Sequence, residues 1–317
     1  MSNSKVDYFF IGFPKSGSTT FYYLLKEHPE IFAPEIKEPK FFCTDINRQI
    51  KNNLRDNYFQ LINSEEEYAN LFRSGENNIK GDFNPFNIFS EDAPRNIYKY
   101  NPKAKILISV REPVSFLRSF HYQSLYRLIE DEPDFLKALS LEKNRRANKN
   151  IPKYCHYPFF LCYSSLIEYK KYIKRCVDIF PSENIKIILF DDIVKNEIKI
   201  YTEILQFINA KNLDFVPSNP DRNPSHALRF AWLRKVLFTP SIQKWLHTII
   251  PLRLMPVGAK VSKTIFKKNQ KKPFISNEDI KLLKTQYKSA VYELDEYLTK
   301  ENLFDRDLIA TWGYSQI

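Results

Sequence analysis

Apolar positions fall along the first two thirds of the chain in short runs separated by stretches of helical periodicity. The first run, Asp7 to Ile11, predicts a buried strand; a glycine-containing loop follows, then a helix carrying Tyr22, Leu24 and Leu25. The second, Lys105 to Val110, is almost wholly apolar without alternation, the pattern of a parallel-sheet strand covered on both faces. Arg111 ends it. Glu112 and Pro113 suit the first turn of a helix that continues through Phe116, Phe120 and Leu125. A third strand, Asn184 to Phe190, follows a predicted helix from Ser165 to Phe180 and carries Asp191 and Asp192 at its C-terminal end. Residues 277 to 300 form an amphipathic helix with Ile280, Leu283, Tyr287, Val291, Leu294 and Leu298 on one side.

Strand, helix, strand repeated through residues 1 to 215 predicts an α/β fold: a single P-loop-like, three-layer domain spanning 1–317, with a central, mostly parallel sheet flanked by helices. In such a sheet ligands bind at the carboxyl ends of strands. The loops after Ile11, Val110 and Phe190 therefore carry the functional question.

Composition narrows it. Hydrophobic residues make up 43% and aromatics 15%, enough for a substantial core. The run Tyr8 to Phe13 is too short for a signal peptide or a membrane anchor. Cysteines at 43, 155, 162 and 176 form no CxxC pair and have no His at zinc spacing, so no metal is expected and a reducing, cytoplasmic location follows. The formal charge of +11 is uneven: residues 225–272 hold eleven Lys or Arg and no Asp or Glu.

The loop Gly12-Phe13-Pro14-Lys15-Ser16-Gly17-Ser18-Thr19-Thr20 joins a strand to a helix, with its glycines five positions apart. Successive backbone N–H groups there, with the helix N-terminus, make an anion cradle. An NTPase loop places Lys directly after the second glycine and then Ser or Thr for magnesium. Here Ser18 holds that lysine position and the lysine is Lys15. One lysine among hydroxyls suits a phosphosulfate diester better than a magnesium triphosphate.

This loop resembles the 5'-phosphosulfate loop of sulfotransferases that use the donor 3'-phosphoadenosine 5'-phosphosulfate (PAPS, giving the product PAP). Glu27-His28-Pro29 and Lys37-Glu38-Pro39-Lys40-Phe41-Phe42 resemble the glycan-modifying branch, including heparan-type and many bacterial enzymes. A strand ending in Arg111, with Ser119 eight residues later on a helix, is similar to the family's 3'-phosphate element, and a guanidinium beside a hydroxyl suits a phosphate. Ile185 to Ile193 and Pro273 to Trp312 also resemble family segments, so the likeness covers most of the chain. It is weakest over 125–155 and 225–272.

The resemblance implies roles. Pro14, Lys15, Ser16, Gly17, Ser18, Thr19, Thr20, Arg111 and Ser119 would hold the donor. Lys15 would stabilise the leaving phosphate and Glu38 would act as general base, while Lys37, Lys40 and Asp82 would meet the acceptor. The lysines beside Glu38 lower a carboxyl pKa and burial raises it, so the sign of its shift stays open. Histidine is the rival base; His28, His121, His156 and His226 read as structural. Phe83 stands where some heparan-type enzymes carry lysine, and Lys40 replaces a histidine common in that branch, so their acceptor contacts do not transfer.

Three functions compete. The first is transfer of a sulfuryl group from PAPS to a hydroxyl or amine of a carbohydrate or glycolipid. The second is a P-loop nucleotide kinase-like activity, and the third a non-catalytic, basic peripheral-membrane protein. The aromatic and basic residues of 225–272 fit an anionic membrane surface at the inner face, a helical hairpin with a solvated rim, or a cleft for an acidic polymer or the donor's phosphates. No nucleic-acid motif accompanies the charge.

Overall fold

The structure, a computed structural model, describes residues 5–53, 62, 64–217, 226–228, 267–269 and 275–317. Five parallel strands form its main sheet: β1 (Tyr8–Phe10), β2 (Ile31–Phe32), β3 (Ile79–Phe83), β4 (Lys105–Val110) and β5 (Ile185–Leu189), in the order β2-β3-β1-β4-β5. The helices in chain order are α1 (Ser18–Glu27), α2 (Thr44–Asn53), α3 (Glu65–Asn70), α4 (Ala93–Tyr100), α5 (Pro113–Tyr126), α6 (Phe135–Ser140), α7 (Glu142–Arg146), α8 (Tyr163–Leu166), α9 (Tyr169–Val177), α10 (Phe190–Lys195), α11 (Glu197–Phe207), α12 (Asn277–Lys300) and α13 (Leu308–Thr311). Most of the basic stretch 225–272, and with it any membrane helix or hairpin there, lies outside the described residues. Its described backbone is one antiparallel pair, β6 (His226–Leu228) with β7 (Lys267–Asn269).

The apolar runs are continuous because helices cover both faces of the sheet. Phe9, Ile106, Ile108 and Val110 enter a core shared with α4, α5, α9 and α12. Tyr8, Phe10, Leu107 and Ile188 alternate with them and meet α1 and α11. From β1 the chain proceeds to β2 and β3 on one side, and from β4 to β5 on the other. The loops after β1 and β4 thus diverge from adjacent strands, which is the crevice where open α/β sheets bind ligands.

The helix expected over 165–180 is divided into α8 and α9. Tyr172 Oη donates to the Ser165 carbonyl at 2.7 Å, and the Tyr169 N–H turns to Ile167 O at 2.7 Å, so the bond that would carry one helix through is not made. Asp191 and Asp192 fall in the first turn of α10 rather than on the strand. Trp312 Nε1 donates to Asp191 at 3.1 Å and Arg306 pairs with Asp192, pinning the C-terminal segment to the sheet's edge.

Candidate active site

The loop from Gly12 to Thr20 leaves the carboxyl end of β1 and is anchored by Phe13, whose buried ring meets Tyr169 at 4.4 Å between centroids. Lys15 (φ 64°) and Gly17 (φ 98°) are both left-handed, which turns successive amides toward one concave face. A Cβ at Gly17 would stand 2.6 Å from Ile193 Cδ1, and one at Gly12 2.1 Å from Ser109 N, so neither position admits a side chain as packed. Ser18 opens α1, whose N-terminal amides and dipole favour an anion. Ser16 is fully buried and does not line the cleft that the rest of the loop borders; its Oγ has no partner among the described residues.

Arg111 closes this cradle from β4. Its Nη1 donates to Lys15 O at 2.9 Å, its guanidinium lies 4.1 Å from the Phe190 ring centroid, and Tyr169 Oη donates to its carbonyl at 2.8 Å. Burial lowers its pKa, with Tyr169, Asp191 and Glu112 acting the other way; a guanidinium stays charged regardless. Its Nε has no partner among the described residues. Glu112 caps α5 by accepting from the N–H groups of Val114 (3.0 Å) and Ser115 (2.7 Å), and this fixes the helix that carries Ser119. Pro14, Lys15, Gly17, Ser18, Thr19, Thr20, Arg111 and Ser119 line one cleft of about 220 Å3, and so does Glu38.

Glu38 arrives on the connection between β2 and α2. Glu38 (φ 62°) and Lys40 (φ 57°) are left-handed non-glycine residues, as is Lys15. Such backbone costs about 1–3 kcal/mol per residue and concentrates at functional sites. The Glu38 N–H donates to Phe83 O at 3.2 Å, fastening the segment to β3. Lys37 Nζ stands 3.0 Å from Thr19 Oγ1 and 3.3 Å from Glu38 Oε1, so one ammonium links the anion cradle to the carboxylate. Burial pushes the Glu38 pKa up, but Lys37, Arg127 and Lys40 outweigh it and the carboxyl lies below its ordinary value. The sign left open by the sequence is thus negative, and Glu38 is ionised at neutral pH.

Asp82 does not join this group. It is 1% exposed, is absent from the cleft lining, and accepts from Tyr68 Oη at 2.7 Å, while Oδ1 has no partner among the described residues. The cleft is instead lined by Pro85 and Phe86 from the same segment. Burial raises the Asp82 pKa to about 7 against the lowering effect of Tyr68. A folded-state pKa above the unfolded value of about 3.9 means that the folded protein binds the extra proton between those values. Stability should therefore fall as pH rises from about 4 to about 7, by up to about 1.4 kcal/mol per unit. Asp82→Asn should remove that slope in urea melts taken across the range; an unchanged slope would show that Asp82 titrates normally.

His28, His121 and His156 do not line the cleft. His28 Nε2 meets Asn212 O at 2.8 Å, and His121 Nε2 meets Glu132 O at 2.9 Å beside Phe135 and Tyr163. His156 is buried with Lys40 in a smaller neighbouring cavity, and burial, Lys40 and Arg127 take its pKa down to about 3. The side chain of His226 is outside the described residues. Among the polar and aromatic residues of the cleft and cavity, Gln123, Phe190 and Arg127 were given no role by the sequence reading. Gln123 and Arg127 continue from Ser119 at four-residue spacing, the helical period that would have found them.

A parallel sheet with an anion cradle at its switch point, a second cationic residue on the adjacent strand and a carboxylate in the same cleft defines a P-loop-like α/β fold arranged for group transfer. The chain belongs to the family described as the sulfotransferase domain, which residues 5–223 match. It is a transferase of sulfuryl groups. Among solved structures it is similar to a sulfotransferase from Alicyclobacillus acidocaldarius, at 23% identity and TM-score 0.58, over 83% of this chain and 96% of that one. A mouse sulfotransferase, SULT7A1 complexed with PAP, aligns over 90% of each chain at 14% identity and TM-score 0.42. No curated protein sequence matches the chain. Among the described residues no helix is long and apolar enough to cross a membrane, and no group of three or more His, Cys, Asp or Glu is placed to hold a metal ion.

Proposed function

We propose that the protein moves the sulfuryl group of PAPS to a hydroxyl or amine of a carbohydrate or glycolipid acceptor by in-line displacement. The observation that carries this reading is the Lys37 bridge, which holds the Glu38 carboxylate and the Thr19 hydroxyl to one ammonium at the cradle's edge. Arg111 lines the cleft and its Nε has no partner among the described residues, which fits a ligand rich in acceptor oxygens. The bound donor supplies an activated sulfuryl group. The loop amides with Lys15, Ser18, Thr19 and Thr20 hold the 5'-phosphosulfate, Lys15 stabilises the leaving phosphate, and Arg111 with Ser119 holds the 3'-phosphate. Glu38, ionised, takes the acceptor proton. Lys37 neutralises the charge between the two.

Binding of PAP tests the donor. Metal-independent binding with no preference for magnesium-ATP is expected; a preference for magnesium-ATP would return the protein to the kinase-like reading. Arg111→Ala should weaken PAP binding by about 2–5 kcal/mol in calorimetric titration, since it strands a phosphate built for a charged partner. Unchanged affinity would remove Arg111 from the donor site. A cytoplasmic, peripheral location through 225–272 belongs to the same proposal, and pelleting with anionic vesicles checks it.

A further inference from the structure

Phe190 opens α10 directly after β5 and lines the cleft together with Arg111 from the end of β4. The guanidinium carbon of Arg111 lies over its ring, 4.1 Å from the centroid. The same ring borders the loop after β1, since a Cβ at Gly17 would stand 3.8 Å from Phe190 Cδ2. One side chain thus adjoins both the cradle and the arginine that closes it. Its backbone is held from behind: Trp312 Nε1 donates to Asp191 at 3.1 Å, and Arg306 pairs with Asp192 in the same helical turn.

A guanidinium donates its hydrogen bonds in its own plane and meets an aromatic ring on its face, so the two kinds of contact do not compete. Arg111 has one of each. Nη1 donates to Lys15 O at 2.9 Å, which fixes a single edge, and the Phe190 face fixes the plane. With the hydrogen bond alone the plane would turn about that bond, and the long side chain would have more rotamer freedom to give up when an anion bound. The ring also keeps water from one face of the cation, so less hydration is lost on binding. Nε, without a partner among the described residues, is then held ready for an acceptor oxygen. Packing by itself would ask less of this position. Phe190 is only partly buried against the core that includes Ile193, and Ile193 Cδ1, 2.6 Å from where a Gly17 Cβ would stand, already fills the space under the loop. Leucine would satisfy that packing, whereas the contact with a cation's face needs an aromatic ring.

Resting on the reading of this cleft as the donor site, we infer that Phe190 is a positioning residue: it holds the Arg111 guanidinium at a set place relative to the cradle and thereby makes the site prefer a nucleotide with two separate phosphate groups over one with a 5'-phosphate alone. The cradle binds the 5' group by its own amides. Phe190 acts on the second group only, through Arg111, so its loss is felt only by ligands that carry one.

PAP and adenosine 5'-monophosphate differ by the 3'-phosphate alone and serve as probes, titrated calorimetrically into the full chain. PAP should bind the unmodified protein more tightly. Phe190→Leu should weaken PAP about tenfold, the equivalent of about 1.4 kcal/mol, and leave the monophosphate within about twofold. Phe190→Tyr should keep the affinity for PAP, and Phe190→Leu added to Arg111→Ala should cost PAP nothing further. Phe190→Met keeps the test open should the leucine variant not fold. Equal loss for both nucleotides would make the ring a contact for the nucleoside itself and overturn the inference. Equal affinity of the unmodified protein for the two, full PAP affinity in Phe190→Leu, a loss in Phe190→Tyr as large as in Phe190→Leu, or a further loss in the double variant would overturn it as well. Failure of the unmodified protein to bind PAP would overturn the donor reading instead.

Discussion

Glu38→Gln is expected to lower kcat by at least about 10²-fold while leaving PAP affinity unchanged, because a positioned general base contributes about 10²–10⁴-fold. Glutamine keeps the shape, the N–H bond to Phe83 O and an oxygen for Lys37, so the loss isolates proton acceptance. A carboxylate with a lowered pKa is a weak base, which places the effect toward the lower end of that range. The pH profile gives an independent check. A depressed carboxyl stays ionised as pH falls until it passes below the ordinary carboxylate value of about 4.3, so no acid limb from the base should appear between pH 8 and 5. A histidine base would show a limb near pH 6.5. Full activity in Glu38→Gln would move the base elsewhere.

The cradle and the cleft it borders were legible in the sequence because they are built from contiguous segments. A loop of nine residues closes on itself by backbone geometry, and Arg111 and Ser119 are fixed by a strand end and a helical spacing. The strand Lys105–Val110 and the helix Asn277–Lys300 match their sequence patterns to the residue, one through continuous burial and the other through a Ser276 side chain that caps its first turn. The strands β2 and β3 did not show. β2 is two residues long, and β3 reads Ile-Lys-Gly-Asp-Phe, which breaks both the apolar run and the alternation. Tertiary contacts overrule its propensity: Tyr68 Oη donates to Asp82 Oδ2, and the Lys80 N–H donates to Asp7 Oδ2 at 2.7 Å. The burial of Asp82 away from the cleft has the same cause, since a polar residue in a motif reads as a cleft residue until its buried partner is seen. The cavity beside the cleft depends on such distant partners throughout. Lys40, Arg127 and His156 come from the β2–α2 connection, the end of α5 and the loop before α8, and no linear pattern joins them.

Arg145→Ala should destabilise the fold by about 3–5 kcal/mol, the cost of stranding one member of a buried ion pair. Arg145 and Glu130 both have fully buried side chains, and the pair is bidentate, with Nη1 2.7 Å from Oε2 and Nη2 2.5 Å from Oε1. Tyr163 Oη donates to Glu130 Oε2 at 2.8 Å, and the N–H groups of Asp131 and Glu132 donate to Oε1, so the carboxylate is saturated and depends on the guanidinium for charge. Urea denaturation measures the loss. The double variant Glu130→Leu with Arg145→Met should be less destabilised than the two single changes added together, because it removes both charges from an apolar site. Additive losses would mean that the two groups hold the fold separately. The pair also ties the segment after α5 to α7 and α8, and Arg127 lies three residues before Glu130 on that segment. Conditions that weaken the pair should therefore loosen the cavity beside the cleft before they disturb the cradle, which rests on β1, β4 and the Phe13 anchor instead.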